Sequence, residues 1–180
     1  VLNRLKPVVN DLLDNLVKRN VNQILIVGSG DSWFLGKLVR LAFEQFAAIQ
    51  IEAIQAFEYA VYGKPNLDER SVIIVISSSG RPSTTVDALE RALLSPAYVV
   101  GVSDRKFLGN PFIEKADFSL VPEASKSGAP TQSTMVTFAV LLMLAIELGK
   151  TLNQIDAQKV NALSNELMEI PNQMKDVLVE

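Results

Sequence analysis

Three stretches of the chain concentrate hydroxyl side chains and glycine in a pattern suited to holding an anion. Residues 77–80 read Ser-Ser-Ser-Gly and follow the apolar run "VIIVI". Residues 28–32 read Gly-Ser-Gly-Asp-Ser after the run "ILIV". Residues 123–134, "EASKSGAPTQST", precede a long apolar stretch. Serine and threonine supply O–H donors without adding net charge, and glycine lets backbone N–H groups approach a ligand closely. Where such a loop opens a helix, unpaired N–H groups and the positive end of the helix dipole add to it. The chemistry this favours is phosphate binding by local geometry. Each loop taken singly also fits an ordinary cap or turn. A cap needs one hydroxyl, however, and residues 77–79 offer three.

Composition narrows the field. The 180 residues contain no histidine and no cysteine. Within them there can be no Ser-His-Asp triad, imidazole base, His-ligated metal, thiolate nucleophile or disulfide. No metal site is expected. Seventeen Lys and Arg against twenty Asp and Glu give a net charge of −3. That leaves no broad basic field, so neither nucleic acid nor an anionic membrane is an expected partner. Nucleotide motifs are incomplete. "GSGDSW" has Trp33 where a dinucleotide fold places its third glycine, and "DSWFLGKL" starts on Asp31 and ends on Leu38 where a P-loop needs Gly and Ser or Thr. Nicotinamide and nucleoside triphosphates are therefore not expected, and no cofactor is assigned.

Residues 135–146 form the longest apolar run, interrupted by Thr137. It falls short of the roughly 18 residues of a membrane span and suits a helix buried on nearly all sides. No signal-peptide pattern opens the chain, and a cytoplasmic protein is expected. The start at Val1 without an initiator methionine suggests a processed or excised piece.

The elements that must position these loops follow from periodicity. Leu2, Leu5, Val9, Leu12 and Leu16 fall at helical spacing. Strands are expected at residues 23–28, 50–54, 71–76, 97–103 and 117–121. Helices are expected at 32–46, with Leu35, Leu38, Phe43 and Phe46 on one face, and at 58–62, 83–94, 111–115 and 131–148. Ser83 or Thr84 is available to cap the helix at 83–94, and Gly149 suits the C-cap of the one at 131–148. A last helix at 154–178 carries Val160, Leu163, Leu167, Ile170, Met174 and Val177, with Pro171 as a potential kink. Apolar strands alternating with helices predict one α/β domain, a three-layer α/β/α sandwich on a five-stranded parallel doubly wound sheet of flavodoxin-like topology. Ligands of such folds bind outside the carboxyl ends of the strands, where the three loops lie.

Over residues 20–150 the chain resembles the SIS (sugar isomerase) domain, a phosphosugar-binding module. The resemblance rests on "GSGDS", "EAIQAFEYAVY", "SSSGRPST" and "SGAPTQSTMVTFAVLLML" in that order. It is similar to the first half of two-domain members such as the isomerase part of glucosamine-6-phosphate synthase, and to the tagatose-6-phosphate ketose/aldose isomerase group. The resemblance implies a sugar phosphate or amino-sugar phosphate as ligand, held by Ser32, Ser77, Ser78, Ser79, Gly80, Ser83, Thr85, Gly128 and Thr131. Pro82 stands where the family commonly has a phosphate-binding threonine, so Ser83 or Thr85 must substitute. Synthase-like relatives carry Val-Ala-Ser-Thr-Lys where this chain has Gly-Ala-Pro-Thr-Gln at 128–132. Arg81 either contacts the phosphate or points to solvent. Glu58 is the one candidate acid or base, against a plain reading as a solvated helix residue. In two-domain relatives the base, a histidine and a lysine come mainly from the second domain and the tail. The resemblance therefore implies a phosphosugar-binding half of an isomerase, deaminase or deglycase, not catalytically complete alone, with the last helix leading to a second SIS domain. A non-catalytic phosphosugar sensor is the alternative. The partner is a second SIS domain or another copy, through the apolar stripes at 1–16 and 160–177, which could equally cap their own sheet.

Overall fold

The structure, a computed structural model, describes residues 1–124 and 131–179. Twelve elements follow one another along the described chain, helix and strand alternating as far as α6. They are α1 (Leu2–Lys18), β1 (Gln23–Gly28), α2 (Asp31–Ala47), β2 (Gln50–Gln55), α3 (Ala56–Tyr62), β3 (Ser71–Ile76), α4 (Ser83–Leu93), β4 (Tyr98–Val102), α5 (Pro111–Glu114), β5 (Phe118–Leu120), α6 (Thr131–Thr151) and α7 (Ala157–Val179). The five strands form one sheet in the order β2-β1-β3-β4-β5, every pair parallel. This is the doubly wound arrangement expected.

Both faces of the sheet are dry, which is why its strands are apolar without alternation. Residues of β3 show it. Val72, Ile74 and Ile76 enter one core with α1, α2 and α6, while Ile73 and Val75 enter the other with α3, α4 and α5. Successive side chains of a strand point to opposite faces, so both layers are fed by one run. α6 alone is long and apolar enough, among described residues, to cross a membrane by length and composition. Here it packs against α1, α2 and α7. The apolar run was a poor measure of its length, because Thr131, Ser133, Thr134 and Thr137 belong to the same helix.

Several expectations change. α2 buries Leu35, Val39, Ala42 and Phe43, whereas Leu38 is 65% exposed and Phe46 half-buried. Gly149 does not end α6; it lies inside it, and a Cβ there would stand 2.2 Å from the carbonyl oxygen of Phe46. The glycine is a contact point between α6 and α2, which is a packing role rather than a cap. The α1 stripe is spent on its own sheet, with Leu5, Val9, Leu12 and Leu16 buried. Of the last stripe, Val160 and Leu167 are buried, Leu163 is half-buried and Ile170 exposed, while the side chains of Met174 and Val177 lie outside the description. α7 continues through Pro171.

The register sets the site. Gly28 of β1 pairs with Ile76 of β3, and Ile76 with Val102 of β4. Three strands thus end level, and the loops that follow leave the sheet side by side.

Candidate functional site

The loop after β3 is built by its own serines. The Ser77 N–H continues the sheet onto the carbonyl of Val102 at 2.9 Å. The chain then turns, and the Gly80 N–H reaches both the carbonyl (3.1 Å) and the hydroxyl oxygen (3.2 Å) of Ser77. Gly80 sits at φ +67, and a Cβ there would lie 2.6 Å from Asn110 Oδ1. Its identity is therefore set twice, by a left-handed backbone and by a close neighbour. Asn110 is fully buried. It donates to Ser103 Oγ (3.0 Å) and to the carbonyl of Arg105 (2.6 Å), and its Oδ1 accepts from the Phe112 N–H (3.1 Å). One asparagine so closes the loop after β4, caps α5 and backs Gly80.

Ser78 faces the other way. Its hydroxyl lies 2.5 Å from Ser133 Oγ and 3.3 Å from Asp104 Oδ2. The Asp104 N–H donates to the Ser78 carbonyl at 3.1 Å, and Asp104 Oδ1 accepts from the Ala124 N–H at 3.4 Å. Asp104 is 7% exposed and Ser133 2%. Four segments converge here: the loops after β3, β4 and β5, and the first turn of α6. Ser79 is half-buried, beside this cluster in sequence.

α4 begins without a side-chain cap, because its N-cap is Pro82 rather than Ser83 or Thr84. Proline has no hydroxyl to give. The N–H groups of Thr85 and Val86 close onto the Pro82 carbonyl, so those of Ser83 and Thr84 stay outside the helix ladder. Thr85 is buried at 2% exposure and Ser83 is exposed. Ser32 is likewise no cap, since Gly30 holds that position in α2. Ser32 stands in the first turn, half-buried, and its Cβ would be 2.7 Å from a Cβ on Gly28, which is why a glycine ends β1. Thr131 is the exposed first residue of α6. Gly128 lies outside the described residues. Glu58 is exposed in the first turn of α3, after β2 and on the opposite face of the sheet from α2. Arg81 is exposed and contacts the serines in no described bond; its guanidinium carbon lies 5.2 Å from the centroid of the Phe107 ring.

The rim carries a charged tie. Glu123 receives Arg4 of α1 and Lys106 of the post-β4 loop, each at 2.6 Å. The hydrogen bond from Lys106 holds the Glu123 carboxyl below its ordinary range; burial opposes it, and the charges of Lys106 and then Arg4 add smaller lowering effects. Asp104, Ser133 and Asn110 are the residues sequence reasoning missed. Each is a common turn or helix-start residue, and only strand register brings them to the serines.

Comparison with known proteins agrees with this arrangement. The SIS domain family model matches residues 19–147. An isomerizing glutamine–fructose-6-phosphate aminotransferase of Bacteroides thetaiotaomicron is 31% identical over 170 residues, covering 88% of this chain and 26% of that protein. Among solved structures, a Clostridium difficile protein provisionally assigned as a phosphosugar isomerase aligns with TM-score 0.83 at 20% identity, covering 98% of this chain and 50% of that one. A glucosamine-6-phosphate deaminase of Thermotoga maritima aligns with TM-score 0.64 at 19% identity, covering 91% and 52%. At these identities the structural likenesses establish the fold. The chain spans about a quarter of the length of the curated relatives it matches. With the family model covering the whole sheet and all but the last turn of α6, the chain belongs to the SIS domain family.

Proposed function

We propose that this chain binds a sugar phosphate or amino-sugar phosphate and forms the phosphosugar-binding half of an aldose–ketose isomerase, deaminase or deglycase. The observation that carries the reading is the Ser77–Gly80 turn set against the uncapped start of α4. The serine hydroxyls and the backbone N–H groups of Ser83 and Thr84, which lie outside the helix ladder, share one short connection that also carries Arg81. Ser32 leaves the neighbouring strand at the same level, within the first turn of its own helix. The names of the relatives, an aminotransferase, an isomerase and a deaminase, share the sugar-phosphate theme.

Catalysis needs a base and an acid placed at the sugar carbons. This chain has no histidine. The proposal therefore assigns binding to this domain and proton transfer to a partner: a second SIS domain or another copy. A phosphosugar sensor is the second reading, and the same absence of histidine favours it.

A thermal-shift series tests both readings. Glucosamine 6-phosphate, fructose 6-phosphate and tagatose 6-phosphate are compared with the unphosphorylated sugars. A ligand that binds the native state raises the melting temperature. Stabilisation by phosphorylated sugars alone is expected. Equal effects of both sets, or none, contradict the proposal. Turnover of a bound phosphosugar once the chain is paired with a second SIS domain then separates enzyme from sensor.

A further inference from the structure

The three consecutive serines are not equivalent, because each hydroxyl has one proton to give. Ser77 Oγ accepts the Gly80 N–H, which leaves its own proton available. Ser79 makes no side-chain hydrogen bond among the described residues, so its proton is available too. Ser78 has two neighbours: Ser133 Oγ at 2.5 Å and Asp104 Oδ2 at 3.3 Å. A carboxylate only accepts, so the contact with Asp104 requires Ser78 to be the donor. Ser133 must then donate to Ser78. The chain of bonds runs one way, from Ser133 through Ser78 to Asp104. A second bond between the same two residues, from the Asp104 N–H to the Ser78 carbonyl, holds the pair in register. Both ends of the chain are nearly buried, where an unmet hydroxyl or carboxylate would be costly.

We infer that Asp104 is a positioning residue of this site: it takes the Ser78 proton, withdraws Ser78 from ligand donation, and leaves Ser77 and Ser79 as the hydroxyl donors of the loop. Asp104 acts through Ser78 and need not touch the ligand. For its ligand the inference rests on the phosphosugar reading; the Ser78–Asp104 pair itself needs no ligand.

The test is a double-mutant cycle over Ser78→Ala and Asp104→Asn on the full chain, read without and with fructose 6-phosphate. Without ligand, Ser78→Ala strips the carboxylate of its hydroxyl donor and lowers the melting temperature by several degrees. In the Asp104→Asn background the same change costs less than half as much. With ligand, Ser78→Ala in the natural background weakens binding by less than about three-fold, and Ser79→Ala by about ten-fold or more. Asp104→Asn reverses only the bond to Ser78, because an amide N–H can donate to the Ser78 oxygen while Ser133 goes on donating to it. The Ser78 proton is then free for the phosphate, and Ser78→Ala in that background costs about ten-fold. A purely structural role for Asp104 would not produce that switch. Equal temperature losses in both backgrounds overturn the inference whatever the ligand does. So does a Ser78→Ala loss of affinity matching that of Ser79→Ala in the natural protein. Coupling without any binding of fructose 6-phosphate supports the pair and overturns the phosphosugar reading instead. Should either variant fail to fold, proton NMR of the unaltered protein decides. A Ser78 hydroxyl proton protected from exchange supports the inference, and a freely exchanging one overturns it.

Discussion

Gly80 and the serines before it show how much one turn asks of single residues. At φ +67, with Asn110 Oδ1 2.6 Å from where a Cβ would stand, Gly80→Ala meets both backbone strain and a fixed buried side chain. The variant should lose about 1–3 kcal/mol of stability, measured by urea unfolding. Ser79→Ala removes a half-exposed hydroxyl with no described partner, so its melting temperature should match the parent within a degree or two while phosphosugar affinity falls. Unchanged affinity in a calorimetric titration would remove Ser79 from the site. The anion-binding character of this loop was legible in the sequence, since three hydroxyls exceed what one cap requires. The division of labour among them was not. It depends on Asp104 and Ser133, 26 and 55 residues away from Ser78, and nothing local in "GVSD" or "PTQST" distinguishes those residues from turn and helix-start chemistry.

Element boundaries were largely written in the apolar runs, because a strand buried on both faces cannot be mistaken for a half-exposed one. The cap residues were not. Pro82 and Gly30 took positions that hydroxyl residues suited better by propensity, leaving backbone N–H groups of α4 unspent where a ligand can use them. Gly149 departs from its expected role for a related reason: a glycine near a helix end fits a C-cap, yet here α2 passes too close for any side chain. Gly149→Ala should therefore destabilise the α2–α6 contact by about 1–3 kcal/mol in denaturant unfolding, whereas replacing a true C-cap glycine would act on the helix end alone. The Glu123 tie makes a pH-dependent prediction. Its carboxyl is held below the ordinary value of 4.5. Its contribution is fully present above 4.5 and is lost as the pH falls through the lower, folded value. The melting temperature of Glu123→Gln should lie slightly below the parent at neutral pH. The gap should narrow as the pH drops beneath 4.5, and added salt should shrink it, since the pair is exposed. A gap unchanged in acid would mean that Glu123 acts through packing rather than charge.

At the scale of the whole molecule, strand order and level strand ends turn sequence-distant loops into one surface. The parallel sheet and its ligand edge could be inferred from alternation of apolar runs and helices, because the crossover rules leave few topologies. Which stripes remain free for a partner could not be inferred. The α1 stripe looked as available as the α7 stripe, and only packing shows that α1 covers the sheet while Phe34, Leu38 and Leu41 of α2 stay 57%, 65% and 60% exposed. The central claim is that a phosphate is held at the turn between β3 and α4. The most direct measurement is an amide NMR titration with fructose 6-phosphate, and with fructose as control. Shifts concentrated on residues 77–84, saturable with the phosphosugar and absent with fructose, are the predicted result. Saturable shifts elsewhere that leave residues 77–84 unmoved, or identical responses to the two sugars, would contradict it.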